Sequence, residues 1–213
     1  MISIGINGKD YEIPTSFDEI DLGTYCRVFS GLENTDGMDG SDLFFATRRN
    51  ESKIISRLMG EDDDFCMDMP LPIYGQLAES VSFIYGMAQM KHSRFIEIEG
   101  RKYTVPEPDK LNLRQWIDID MTSTDDTIPD DNGDKYLRLL SVMLVEVGED
   151  GNPVAYKGED KSLYEKLKKV KASDGLGLVY HFFLKGAISS KISQAYSRVE
   201  EAMSQLRQSI ANS

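Results

Sequence analysis

The chain has 213 residues, a formal charge of −12, two cysteines and two histidines, with apolar residues spread along its whole length. That length admits one substantial core or two small ones, and the even spread of Leu, Ile, Val, Met, Phe and Tyr argues against extensive disorder. The charge is uneven: from Lys161 onward nine Lys and Arg face four Asp and Glu, a net +5 that leaves −17 on residues 1–160, so the body would repel a phosphate backbone and forfeit the counterion release that drives nucleic-acid binding.

Residues 1–14 hold neither a basic region nor a long apolar run, so no secretory signal is read there. No run approaches the roughly 20 apolar residues of a membrane span. Cys26 and Cys66 stand far apart in unlike surroundings, which fits a reduced, cytoplasmic setting.

In chain order, Ser3-Ile4-Gly5-Ile6, Asn7-Gly8 and Lys9 to Pro14 alternate in character about an Asn-Gly turn and predict a β-hairpin. Thr15 to Glu19 offers capping groups, and Leu22, Tyr25, Cys26 and Phe29 then recur at helical spacing. Two further helices are predicted at Ser41 to Met59 and Pro72 to Met90. The first has a broken apolar face with Leu43, Phe44, Ile54 and Leu58; the second has a cleaner one with Ile73, Leu77, Val81 and Ile84. Gly60 to Asp64, with Pro70 and Pro72, marks the loop between them.

The opening order then returns. Ile6, Gly8, Tyr11, Ile13 and Pro14 align with Ile98, Gly100, Tyr103, Val105 and Pro106, and after one deletion Ile20, Leu22 and Tyr25 fall on Leu111, Leu113 and Trp116. A strand-turn-strand-Pro-helix unit is therefore used twice, which implies two related modules or two hairpins joined in one sheet.

Past this second copy, Thr122 to Asp134 reads as the most mobile loop and Lys135 to Val147 as a buried helix carrying Tyr136, Leu139, Leu140, Met143 and Leu144. Gly148 to Gly158 is rich in turn residues, and Ser162 to Val170 is a basic amphipathic helix. Asp174 is placed as the cap of a long final helix, apolar on nearly every face from Leu176 to Leu184. The expected fold is α+β, mostly helical, with two short hairpins from an internal duplication. Its expected divisions are a hairpin-plus-helices module over 1–94, a second over 95–172, and the C-terminal amphipathic helix over 173–213.

From Ile188 the apolar residues thin to a stripe: Ile188, Ile192, Ala195, Val199, Ala202 and Leu206 alternate steps of four and three, the seam of a coiled coil. An isolated helix of this kind is marginal in water, so the stripe needs either the protein's own body or a partner. These six residues are the candidate partner-binding set.

No residue pattern supplies a catalytic or metal centre, and no cofactor is expected. His92 lies at a polar helix end and His181 in an apolar run that suits a hydrogen-bonded core histidine, so a His-based triad has few ways to form. Neither cysteine has a nearby Cys or His to share a zinc ion. Aligning Gly133 of the acidic stretch with the glycine of a calcium loop puts Ile128 and Leu139 at positions that require Asp and Glu. Gly148, Gly151 and Gly158 lack the helix and Lys of a phosphate-binding loop.

The opening Ile-x-Asn-Gly-Lys-x-Tyr-x-Ile-Pro over residues 4–14, followed by Ile20-Asp21-Leu22-Gly23-Thr24-Tyr25, resembles the start of accessory proteins of tailed bacteriophages. It is similar to tail assembly chaperones and to baseplate-hub assembly proteins of T4-like phages. The resemblance covers residues 2–31, with a fainter echo over 95–121. It implies a non-enzymatic protein that holds or joins structural subunits, in the host cytoplasm or in the virion. The long amphipathic tail departs from those families and leaves room for a structural virion component.

The expected partner is another phage structural protein. The alternatives are a homo-oligomeric scaffold paired through the same tail, and an acidic mimic of nucleic acid that blocks a DNA-binding enzyme. Apolar contact predicts weak salt dependence, whereas mimicry predicts strong salt sensitivity. Replacing Val199 and Leu206 together by Glu is expected to weaken capture of the partner in a pull-down, and unchanged capture removes the terminal stripe as the contact.

Overall fold

The computed structural model describes residues 1–86, 93–125 and 133–188. β1 (Ile2–Ile6) and β2 (Lys9–Ile13) pair antiparallel, Ile2 opposite Ile13 and Ile6 opposite Lys9. Asn7 and Gly8 hold φ of 53° and 80°, the two positive values of a type I′ turn whose twist matches that of the strands. A 3-10 turn at Phe17–Glu19 leads to α1 (Leu22–Phe29), whose first turn is capped by Asp21 Oδ1 accepting from the Thr24 amide at 2.6 Å.

The chain continues through α2 (Gly40–Leu58), a 3-10 turn at Phe65–Asp68, α3 (Leu71–Ser80) and a 3-10 turn at Ser82–Tyr85. The second hairpin, β3 (Ile96–Ile98) with β4 (Arg101–Thr104), turns at Glu99 and Gly100 with φ of 51° and 77°. A 3-10 turn at Pro108–Lys110 follows, then α4 (Leu113–Ser123), capped by the Asn112 side chain accepting from the Gln115 amide at 2.9 Å. Hairpin and helix thus recur in the order, and at the offset, that the sequence predicts, and a 3-10 turn stands between them in both copies. The remaining elements are α5 (Gly133–Met143), β5 (Val145–Glu146), α6 (Lys161–Leu167) and α7 (Ala172–Ile188). The fold is α+β and mostly helical, with a two-stranded and a three-stranded antiparallel sheet. No helix of the described residues is long and apolar enough to cross a membrane.

The helices pack in the order α2, α1, α5, α4. The main core gathers Leu22, Val28, Ile54, Ile98, Leu140 and Leu176, so residues from all three expected segments share it. A smaller cluster of Ile6, Tyr11, Ile13, Ile55, Leu77 and Val81 lies under the first hairpin. A third joins Ile119 of α4 to Leu139, Val142 and Met143 of α5. Arg57 ties the acidic loop to the end of α1: Nε and Nη2 donate to the Asp63 carboxylate at 2.6 and 2.7 Å while Nη1 donates to Val28 O at 3.2 Å. The paired guanidinium holds the Asp63 carboxyl below its usual range.

Three elements differ from expectation. The helix expected from Pro72 to Met90 ends at Ser80, and a tighter 3-10 turn follows. That turn sends Val81 into the cluster under the hairpin and Ile84 into the main core, with Phe83 edge-on to Phe17 at 5.1 Å. The helix expected to reach Val147 stops at Met143, because Val145 and Glu146 pair with Thr104 and Tyr103 as the edge of the second sheet. The last helix begins at Ala172, two residues before its expected cap at Asp174. Its start is fixed by the chain it crosses, through Ala172 N to Ile20 O at 2.9 Å and Leu22 N to Val170 O at 2.8 Å.

Leu22 is fully buried at that crossing, and a Cβ on Gly175 would stand 2.2 Å from its Cδ1. Only a glycine lets α7 approach this closely. Gly175→Ala is expected to lower stability by about 1–3 kcal/mol in urea unfolding, and adding Leu22→Ala removes the clash. Unchanged stability in the single variant would mean that the two helices stand further apart.

Candidate interaction surface

α4 has two apolar faces with different fates. On one, Gln115 is 1% exposed and its amide donates to Val142 O and Met143 O at 3.2 and 3.0 Å, filling the end of α5, while Ile119 packs into the α5 cluster. On the other, Leu113, Ile117 and Met121 are 73, 47 and 65% exposed. Their four-residue spacing makes them one stripe. The flank is fixed by the segment before α6: Asn112 Nδ2 donates to Tyr156 O at 2.9 Å, Arg114 Nη1 to Lys157 O at 2.8 Å, and the Tyr156 hydroxyl to the Asp118 carboxylate at 2.9 Å. Burial and that carboxylate both push the Tyr156 hydroxyl above its ordinary titration range.

The repeat gives this face a counterpart. Leu22 and Cys26 of α1 occupy the positions of Leu113 and Ile117, and both are buried, Leu22 under α7 and Cys26 beside Asp134 and Leu137 of α5. The same face of the same unit is covered in one copy and open in the other.

A second group stands at the start of α2. Leu43, Phe44 and Phe45 are exposed around the buried Ala46, the two rings edge-on at 5.5 Å, with the Arg48 guanidinium 5.6 Å from the Phe44 ring centre. The other large exposed apolar residues include Met67, Leu71 and Val154, and scattered ones of this sort are ordinary on a protein surface.

Beside the α2 group, a cleft of about 450 Å³ opens between α1, the following loop and α2, with Phe29, Leu32 and Ile54 as its apolar lining. Its charged walls are already paired: Arg49 donates twice to Glu33 at 2.7 and 2.6 Å, and Tyr74 donates to Glu51, which also receives Arg48. A second cleft of about 400 Å³ lies over Cys26, with Arg27, Lys168 and Lys169 facing Asp21 and Asp134. Burial pushes the Cys26 thiol up to about 12, so at neutral pH it stays protonated and a poor nucleophile. Cys66 is likewise buried and unbridged. Among the described residues, no group of three or more His, Cys, Asp or Glu is placed to hold a metal ion.

Of the residues expected to bind a partner, Ile188 ends α7, and Ile192, Ala195, Val199, Ala202 and Leu206 lie outside the described residues. His92 and residues 126–132 of the acidic stretch lie outside them too, while His181 is half-buried. The α4 stripe was not singled out from sequence, although its signal was there: Leu113, Ile117 and Met121 form a second apolar row beside the Trp116 and Ile119 row. Comparison of the chain with models of protein families, with curated proteins and with solved structures finds no match in any of the three.

Because the stripe faces water, Leu113→Glu and Ile117→Glu are each expected to change the stability of the free protein by no more than about 0.5 kcal/mol. Ile119→Glu, on the buried face, is expected to unfold it. Thermal melts that rank Ile117→Glu with Ile119→Glu would place the stripe inside the fold.

Proposed function

We propose that the chain is a non-enzymatic bacteriophage assembly or structural protein, of the tail or baseplate chaperone kind, that binds another morphogenetic protein through apolar helical surfaces. The observation that carries this reading is the open stripe of Leu113, Ile117 and Met121 on α4, of which the first two have buried counterparts in Leu22 and Cys26. The resemblance of the first hairpin to phage accessory proteins supplies the biological setting, the host cytoplasm or the virion.

The physics is that of helix-in-groove recognition, in which side chains at four-residue intervals anchor one face. Each Å² of apolar surface removed from water contributes about 25 cal/mol before the cost of association is subtracted. Leu, Ile and Met suit such a role because they carry area without a polar group to desolvate, and Met adapts to an irregular partner.

The test is co-expression with the products of neighbouring tail and capsid genes, followed by native mass spectrometry of purified complexes. A complex is expected whose affinity falls at least about tenfold, or ~1.4 kcal/mol, on Ile117→Glu with Met121→Glu, and which changes little with salt. A complex indifferent to that double change, or none with any of these products, contradicts the reading.

A further inference from the structure

We infer that the cleft over Cys26 binds the phosphate group of a small organic molecule, held by Arg27 and Lys169 together with the hydroxyls of Thr24 and Ser30. The inference does not rest on the α4 stripe, so either can fail without the other.

The cleft lies where the start of α1 meets the link between α6 and α7, and its volume of about 400 Å³ falls in the range of small-ligand sites. Its walls are pinned to each other. The Gly23 amide donates to Lys168 O at 3.0 Å and the Leu22 amide to Val170 O at 2.8 Å. A Cβ on Gly23 would stand 3.1 Å from both Lys168 O and Lys168 Cβ, so a glycine is what lets the two segments approach. A site fixed in this way loses little freedom when a ligand enters it.

The polar groups of the lining fall into two sets, and the first is already engaged. Asp21 Oδ1 accepts from the Thr24 amide at 2.6 Å, and Asp134 accepts from Arg138 Nε at 3.4 Å and from the Tyr164 hydroxyl. Lys168 donates to Glu165 at 3.1 Å and lies 4.2 Å from the Tyr164 ring centre. The first amides of α1 are taken as well, by Val170 O, Lys168 O and the Asp21 side chain, so the helix end itself offers an anion nothing.

The second set is open. Among the described residues, the Arg27 guanidinium and the Lys169 ammonium meet no carboxylate, and the Thr24 and Ser30 hydroxyls make no hydrogen bond. Two cations and two hydroxyls thus border one cleft, in a chain whose residues 1–160 carry −17.

That set selects the ligand. An Arg fork and a Lys point charge are the donors that suit phosphate oxygens. A phosphate monoester offers three strong acceptor oxygens where a carboxylate offers two, so it can use the hydroxyls as well as the cations. The cleft has room beyond a phosphate, over a floor of the buried Cys26 and Leu137. An apolar group carried on the phosphate displaces water from that floor, which inorganic phosphate cannot do.

The experiment titrates the purified full chain with phenyl phosphate, inorganic phosphate and benzoate, followed by ¹H-¹⁵N NMR of the Gly23 and Thr24 amides. Phenyl phosphate is expected to shift both amides and to bind at least about threefold more tightly than either of the others. Arg27→Gln with Lys169→Gln is expected to weaken it at least about fivefold, with an unchanged thermal melt. Lys157→Gln with Lys161→Gln, an equal loss of charge outside the cleft, is expected to leave its affinity within about twofold. No shift with phenyl phosphate overturns the inference. So does equal weakening by the two pairs of changes, which indicates attraction to positive charge in general. Inorganic phosphate bound as tightly as phenyl phosphate overturns the organic ligand, and benzoate bound as tightly overturns the phosphate.

Discussion

α5 is apolar on two faces, and the rest of the molecule is organised by the need to bury both. Leu137 and Leu140 join the core shared with α1, while Leu139, Val142 and Met143 close over Ile119 of α4. No single hairpin-and-helix unit can cover such a helix alone, so the two copies are held to each other through it. Gln115 reinforces the second face by filling the carbonyls at the end of α5, which a helix terminus otherwise leaves unpaired. The close crossing of Leu22 and Gly175 then locks α7 onto the first copy. Among the described residues α1 packs against both α2 and α5, and α4 against α5.

The parts of the fold legible in the sequence are those decided by a few adjacent residues. Asn7-Gly8 and Glu99-Gly100 each supply the two positive φ values their turns require, whereas the first helix is capped by Asp21 and not by the Thr15 to Glu19 groups that the sequence offered. The repeat was legible because these local signals recur in one order. What was not legible depends on distant contacts. Val145 and Glu146 continue an apolar helical pattern, yet they become a strand because β4 offers an unpaired edge. The 3-10 turn after α3 divides Val81 and Ile84 between two cores, and no periodicity marks where one core ends.

The α4 stripe shows the same limit from the functional side. Leu113 is the counterpart of Leu22, and in sequence both read as core leucines. One is fully buried and the other 73% exposed, and the difference lies wholly in what packs over them. Apolar periodicity reports which face of a helix needs cover; whether that cover comes from the same chain is a matter of tertiary structure. The proposed binding role rests on this open face. Apolar contact also suits a body of −17, since two such surfaces meet without charge pairing and their repulsion is screened at physiological salt.

The central claim is that the open face of α4 is a contact surface, and Met121 reports on it without any substitution. In NMR of ¹³C-methyl methionine, the Met121 signal is expected to shift when the products of neighbouring genes are added, while that of Met143, buried against α4, holds still. A Met121 signal that stays constant when each of those products is added would contradict the account.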